Sequence, residues 1–490
     1  MSEKSDIFTK DVAIIKGNTP QECLVKGIDL LGGISNFIKE RDIVFIKFNL
    51  NLPYGFPTNT NMDLITSVIS LCEEAGAKKI HIGSFPLKGI SIEAISQLLH
   101  LEEYLNDFGA ELIFLDNSNM FNRKDIKKAQ LEKICNESSS IINVHDEDIR
   151  FPKVILESDK LISVNQIKVN PLFKLNLSIL NSFSSISPKY QAVSLNKENK
   201  NENLTKDLYR NKLTSKVIDV FSIKKPELVI NDLYYILERA GPYVFKDSIL
   251  TKTNLMTIGS DAFAVDVVTL NLLNVEVSDY GLFSEIKKKG LESTDLQNIN
   301  IFGENLEDTK IEIEFCEENL EKLDIKNFDI KTGKLCSGCY ENAYYLLNFM
   351  KTNLTKDLKY NPGNVFLIGE KPPNPVNFKD VIIFGDCAIN STRNSEIRKI
   401  IKHSDKNILS NITRKIVKKP EKKKKPKVKE ETNKRILELP GCPPPFTNSL
   451  SLMKHYYKKS NTPNLNFNIK LCKSWSDSKI LANLKAMGVI

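Results

Sequence analysis

No stretch of the chain approaches the roughly 18 consecutive apolar residues that a membrane-spanning helix needs. The opening residues, Met1 to Lys10, are polar and mixed in charge and lack the apolar core of an export signal, so a cytoplasmic protein is expected. Tryptophan occurs once and histidine five times. The histidines (His81, His100, His145, His403 and His455) show no HExxH spacing and belong to no nucleophile elbow. There is also no Walker A lysine loop, no GxGxxG and no internal repeat. These absences remove the zinc-protease, serine-hydrolase, P-loop and dinucleotide-binding readings. His145-Asp146-Glu147-Asp148 reads as an exposed acidic turn rather than a cation site.

A spread of positive charge is missing as well, although the net charge is +8. Between Arg414 and Lys429 there are ten Lys or Arg against one Glu, which leaves the rest of the chain close to neutral. A nucleic-acid binder carries its basic patch on a folded face. Here the charge sits in a low-complexity tract, KIVKKPEKKKKPKVKEE, which reads as a solvated loop or tether. Nucleic acid is therefore not expected as a partner.

What is present is the composition of a globular protein, 41% hydrophobic and 27% charged, over 490 residues, a length for two or three domains. Residues 11–16 and 42–47 are short β-branched runs separated by a helical stretch, Pro20–Lys39. Met62–Ala75 has helical periodicity, and strands are expected at Lys79–Gly83 and Glu111–Leu115. Further strands are expected at Lys160–Val164, Leu228–Ile230 and Ile299–Phe302, with a helix at Ala262–Leu273 and an exposed loop at Leu195–Lys206. Strands alternating with helices imply an α/β fold, mostly parallel sheets with helices on both faces. The expected organisation is a domain over 1–320 with lobes of about 11–150 and 151–310, a linker at 321–334, and an α/β domain over 335–490 carrying the insertion 414–431. In that last part a helix is expected at Glu341–Met350, strands at Val365–Ile368, Val381–Phe384 and Ile436–Leu439, and a helical stretch at Ser395–Lys402.

Nine cysteines without an export signal argue against a disulfide framework. Cys23, Cys72 and Cys135 lie on helical segments and read as core residues; Cys316, on an expected strand, and Cys472, near Trp475, have no motif around them. The other four fall in CSGCYE (Cys336, Cys339), GDCA (Cys387) and PGCPP (Cys442). The spacing of the first pair lets both sulfurs reach one metal centre. Cys387 and Cys442 each follow an expected strand, where turns of a parallel sheet converge. A helix beginning after Cys339 would direct free N–H groups at negatively charged thiolates. A four-cysteine metal site is expected; zinc in a tetrahedral site is one occupant, and a 4Fe–4S cluster is favoured because one pair and two singles replace the paired knuckles of zinc modules. The order and flanks of these motifs over residues 335–446 resemble the cluster-bearing small subunit of nickel–iron hydrogenases and its counterpart in respiratory complex I. That resemblance implies a 4Fe–4S cluster on these four cysteines and electron transfer with a redox partner that the sequence leaves unnamed. Asn390-Ser391 departs from the glycines usual there.

In the first two-thirds, lysines at strand ends are well placed to hold an anionic substrate. IKFNLN with Lys47 and Asn49, the Gly83-Ser84 strand end, Lys168, Ile179-Leu180-Asn181, the Ala240-Gly241-Pro242 turn and GSDAFAVD follow one another in an order that resembles the domain of unknown function 362 (DUF 362) family, over about residues 11–303. The resemblance makes Lys47, Asn49, Lys168, Asn181 and Asp266 candidate substrate-binding residues, with Asp261 capping the helix of Asp266. It implies no established activity, although members often carry ferredoxin-type clusters. Asn170 stands where the family shows histidine, and Phe183-Ser184 replaces its phenylalanine-glycine. Two functions follow as expectations: an iron–sulfur redox protein acting on an anionic substrate or partner, or a binding scaffold whose four-cysteine site is structural.

Overall fold

A computed structural model describes residues 10–88, 90–120, 128–144, 147–191, 193, 207–290, 295–354, 363–376, 378–398 and 435–459. The turn at His145, the Leu195–Lys206 loop, the lysine-rich tract, His403, Cys472 and Trp475 lie outside these residues. Twelve strands belong to the first two-thirds: β1 (Lys10–Lys16), β2 (Ile43–Phe48), β3 (Lys79–Gly83), β4 (Glu111–Leu112), β5 (Ser139–Val144), β6 (Glu147–Pro152), β7 (Lys160–Asn170), β8 (Lys174–Asn176), β9 (Leu228–Leu237), β10 (Leu250–Lys252), β11 (Leu255–Gly259) and β12 (Ile299–Gly303). Ten of them form one sheet in the order β12-β1-β11-β9-β7-β2-β3-β4, with β10 added to β9 and β8 to β7, while β5 and β6 pair separately. The strands from β9 through β7, β2 and β3 to β4 are parallel, and β11 runs against β1 and β9. Strands from 11–150 and from 151–310 are thus interleaved in one sheet rather than forming a sheet each.

Both faces of this sheet are covered. Val44, Ile46 and Phe48 of β2 enter one core with the helices Pro20–Leu30 and Met62–Glu74, and Phe45 enters the other with Leu208–Ile223 and Ala262–Leu272. Burial on both faces explains why β2 and β9 read as near-continuous apolar runs. The first helix starts where Thr19 accepts the Glu22 N–H and Pro20 takes the first turn. It stops at Leu30, short of the expected Lys39, because Gly32 and Gly33 adopt φ of +88°. The Ala262–Leu272 helix is buried nearly all round, which places Asp266 inside the protein.

The C-terminal part is a four-stranded parallel sheet, β13 (Phe328–Thr332), β14 (Asn364–Ile368), β15 (Asp380–Phe384) and β16 (Arg435–Leu439), in that order. β13 comes from the segment read as a linker; with Asp329 and Lys331 on an edge strand, its apolar period is masked. Val365, Leu367, Val381 and Ile383 face a small core with the helix Asp386–Ser391. Their alternates Phe366, Ile368, Ile382 and Phe384 join the main core, as a strand period of two requires. The helix Ser337–Asn353 lies on that second side and ties the two sheets together. Its Tyr345 ring meets Tyr243 at 4.9 Å, and Tyr243 meets Phe446 of the helix Phe446–Lys459 at 4.5 Å. Among the described residues no helix is long and apolar enough to cross a membrane.

Candidate functional site

Lys47 and Asn49 end β2, Lys168 lies on β7, and Asn181 follows on the short helix Ser178–Ser182. The fold brings all four together. Asn181 Oδ1 accepts from Lys47 Nζ and from Asn49 Nδ2, each at 2.9 Å. Asn49 Oδ1 accepts from Gln166 N at 2.7 Å and Lys168 Nζ at 3.3 Å, and Asn181 Nδ2 donates to Ser163 Oγ. Lys47 also donates to the Phe48 carbonyl and Lys168 to that of Gln166. Each residue is at most 4% exposed, so the group forms a closed polar core rather than an open lining. Burial, and then the neighbouring Lys168 charge, holds the Lys47 amine well below its ordinary range. Burial lowers Lys168 to about 7 against the pull of Asp232, and burial likewise raises Asp232 to about 7.

Asp266 is fully buried. Its carboxylate accepts from Ser178 N and Oγ, Ile179 N and Asn231 Nδ2 at 2.7–3.1 Å, which pins the helix bearing Asn181. Burial pushes it up to about 6 in spite of these donors. Asp261 caps the Ala262–Leu272 helix through Ala264 N at 2.8 Å, as expected. Sequence reasoning missed Asn165, Gln166, Asn231 and Asp232, which stand in register on β7 and β9. Their signal was visible: each strand carries an amide–polar doublet inside a β-branched run, SVNQIKV and VINDL.

The four motif cysteines follow β13, β15 and β16, whose carboxyl ends share one sheet edge because the sheet is parallel. The helix after the first pair starts at Ser337, earlier than the expected Glu341, so Cys336 is its N-cap and Cys339 lies in its first turn. The Cys339 thiol, with the backbone N–H groups of Cys339 and Gly338, lowers Cys336 to about 6 despite burial. Cys339 is driven well up by the same pairing and by burial. Cys442 donates to Cys387 and lowers it, and each pair feels the charge of the other. Among the described residues no three ligand side chains are drawn onto one point; the thiols stand as two neighbouring pairs. Gly385, at φ +90°, lies where a Cβ would come within 3.2 Å of Cys339 Sγ, so the turn leaves its room to the sulfur. Four thiols with two lowered, backbone N–H groups aimed at one of them and a side-chain-free turn are a donor set that fits a thiolate-ligated metal centre. Cys23 and Cys72 are buried in the first domain, with thiols raised to about 12 by burial. Cys135 ends the helix Lys128–Glu137. Cys316 is on no strand, contrary to expectation: its segment is held across the turn after β9, where Glu238 accepts from Glu314 N.

One cleft joins the two domains. Its volume is about 270 Å³, and its walls include Asn170, Lys174, Arg210, Glu318, Cys336 and Tyr340. Asn170 Oδ1 accepts from Leu172 N and Phe173 N at 2.8 Å, which turns its amide N–H₂ away from that turn. Arg210 pairs with Asp207 at 2.7 Å, while its Nε is buried without a partner among the described residues. The cysteine-bearing helix touches the closed polar core indirectly. Gly241 packs on the Lys168 stem, where a Cβ would sit 2.7 Å from Lys168 Cβ, and its carbonyl accepts from Tyr345 on the cysteine-bearing helix at 3.0 Å.

No curated protein matches the chain. Among matching solved structures is the crystal structure of a protein from Thermotoga maritima, 10% identical, covering 93% of this chain and 94% of that one at a TM-score of 0.30. A likeness that distant carries no argument about function. The family comparison covers less of the chain and says more: residues 44–271, which hold Lys47, Asn49, Lys168, Asn181 and Asp266 but none of the four motif cysteines, match the domain of unknown function DUF362.

Proposed function

We propose that the chain is an iron–sulfur protein in which Cys336, Cys339, Cys387 and Cys442 hold a 4Fe–4S cluster, and that the cleft beside Cys336 binds an anionic substrate or the acidic group of a redox partner. The observation that carries this reading is the position of Cys336, at once a member of the thiol group and a wall of the interdomain cleft. Such a cluster supplies reversible one-electron transfer. The protein's own residues do the rest. The Arg210 guanidinium, the Asn170 amide and Lys174 offer hydrogen-bond donors to an anion in the cleft. Lys47, Asn49, Lys168 and Asn181 lock the ends of β2 and β7 and so hold the Asn170 wall in place.

Anaerobic purification tests the reading. About four iron and four sulfide per chain, with visible absorption bleached by dithionite, is expected. Stoichiometric zinc and no iron after the same preparation overturns it and leaves a structural four-cysteine site in a binding protein.

A further inference from the structure

A second cavity lies elsewhere, at about 600 Å³, and shares no lining residue with the interdomain cleft. Its volume falls in the range of small-molecule sites. One wall is the face of the first sheet, with Ile43 and His81; Phe85, Phe114 and Tyr190 add aromatic surface, and Lys153 closes it after β6.

His81 sets the chemistry. It sits opposite Glu111 in the β3–β4 register, with Nε2 at 3.5 Å from Glu111 Oε2. Burial, then the Lys79 charge, lowers its pKa, so the imidazole is neutral at pH 7. Its one proton faces the Glu111 carboxylate on Nε2, which leaves the lone pair on Nδ1. Nδ1 is buried and has no hydrogen-bond partner among the described residues, and His81 is 9% exposed. Buried acceptors are rarely left unpaired, so this one is an address for a donor.

The charged lining points the same way. No carboxylate pairs with Lys153 or Lys189 among the described residues, and Arg150 is bound to Asn136 and the Cys135 carbonyl instead of an acid. Of the two lining acids, Asp116 is already spent on Ile92 N and on Ser118. Aromatic walls, excess positive charge and one buried acceptor describe a single kind of ligand.

We propose that this cavity binds a small aromatic carboxylic acid bearing a hydroxyl or N–H donor, with the donor on His81 Nδ1 and the carboxylate towards Lys153 and Lys189. The test uses 4-hydroxyphenylacetate and phenylacetate as probes on the full chain, by calorimetry and ¹⁵N NMR. The hydroxylated probe should bind about tenfold more tightly, the worth of one hydrogen bond to a buried acceptor. In His81→Phe the two probes should bind alike, and Lys153→Gln with Lys189→Gln should weaken both. Should His81→Phe not fold, the Nδ1 resonance of His81 in the unaltered protein decides: it should move with 4-hydroxyphenylacetate and stay with phenylacetate. Equal binding of the two probes, a hydroxyl preference surviving His81→Phe, or no saturable binding at all overturns the proposal.

Discussion

The closed polar core of the first domain and the thiol edge of the second are both built at the carboxyl ends of parallel strands, yet they end in opposite states. In the first, the side chains of Lys47, Asn49, Lys168 and Asn181 all find partners within the protein, and burial lowers the pKa of both lysines. In the second, the thiols have chiefly one another, which splits their acidities, and one of them opens onto a cleft. A satisfied network fixes a shape; a set of mutually perturbed donors is poised to take something up.

The comparison breaks most visibly at the cysteines. Cys387→Ser should reduce bound iron from about four per chain to near zero under anaerobic preparation, because one missing thiolate opens the cluster. Cys72→Ser, in the first domain, should leave iron content unchanged. If both variants keep their iron, the thiol edge is not the cluster site.

The polar core should answer in stability and not in metal. Asn49→Ala strands the Gln166 N–H and removes one acceptor from Lys168, and should cost about 2–4 kcal/mol in urea unfolding. Iron per folded chain should not change. Iron lost in step with stability would show that the two regions form one cooperative unit.

The smallest effect is a pH dependence. Asp232 folds with a value near 7 against about 3.9 unfolded, so its stabilising contribution is full below about pH 4 and lost as pH rises to 7. Lys168 folds near 7 against about 10.4 unfolded, so its contribution is full above about pH 10 and lost as pH falls to 7. Stability should therefore pass through a minimum near pH 7, each of these two groups contributing a slope of at most about 1.4 kcal/mol per pH unit. Urea midpoints from pH 5 to 9 would show it; Lys168→Met should reduce the slope of the alkaline limb and leave the acid limb. A profile without a minimum would mean that the pair titrates as a salt bridge.

The sequence made the α/β class, the main strands and the coming together of Lys47, Asn49, Lys168 and Asn181 legible, because strand-end residues announce themselves after β-branched runs. It did not disclose that the two expected lobes share a sheet, since strand order is set by long-range pairing such as β1 on β11, which leaves no local mark. β13 was hidden by its charged edge residues. Openness was equally illegible: Lys47 and Lys168 read as ligands for an anion, and only their partners' geometry shows them sealed. Asn170, singled out as a missing histidine, lies in the wall of the interdomain cleft, a placement set by the β7–β8 turn.

At one edge of the first sheet, β12, the last strand of that domain, runs beside β1, the first, with Lys10 beside Ile299 and Ile14 beside Gly303. Gly303 and Lys10 are thus four residues apart along the strand direction, about 13 Å. A linker of about eight residues would close residues 10–303 into a ring, and new termini could be opened in a surface loop with every strand kept whole. The sheet order is thus open to circular permutation, with the chain to the cysteine-bearing unit leaving from that same edge.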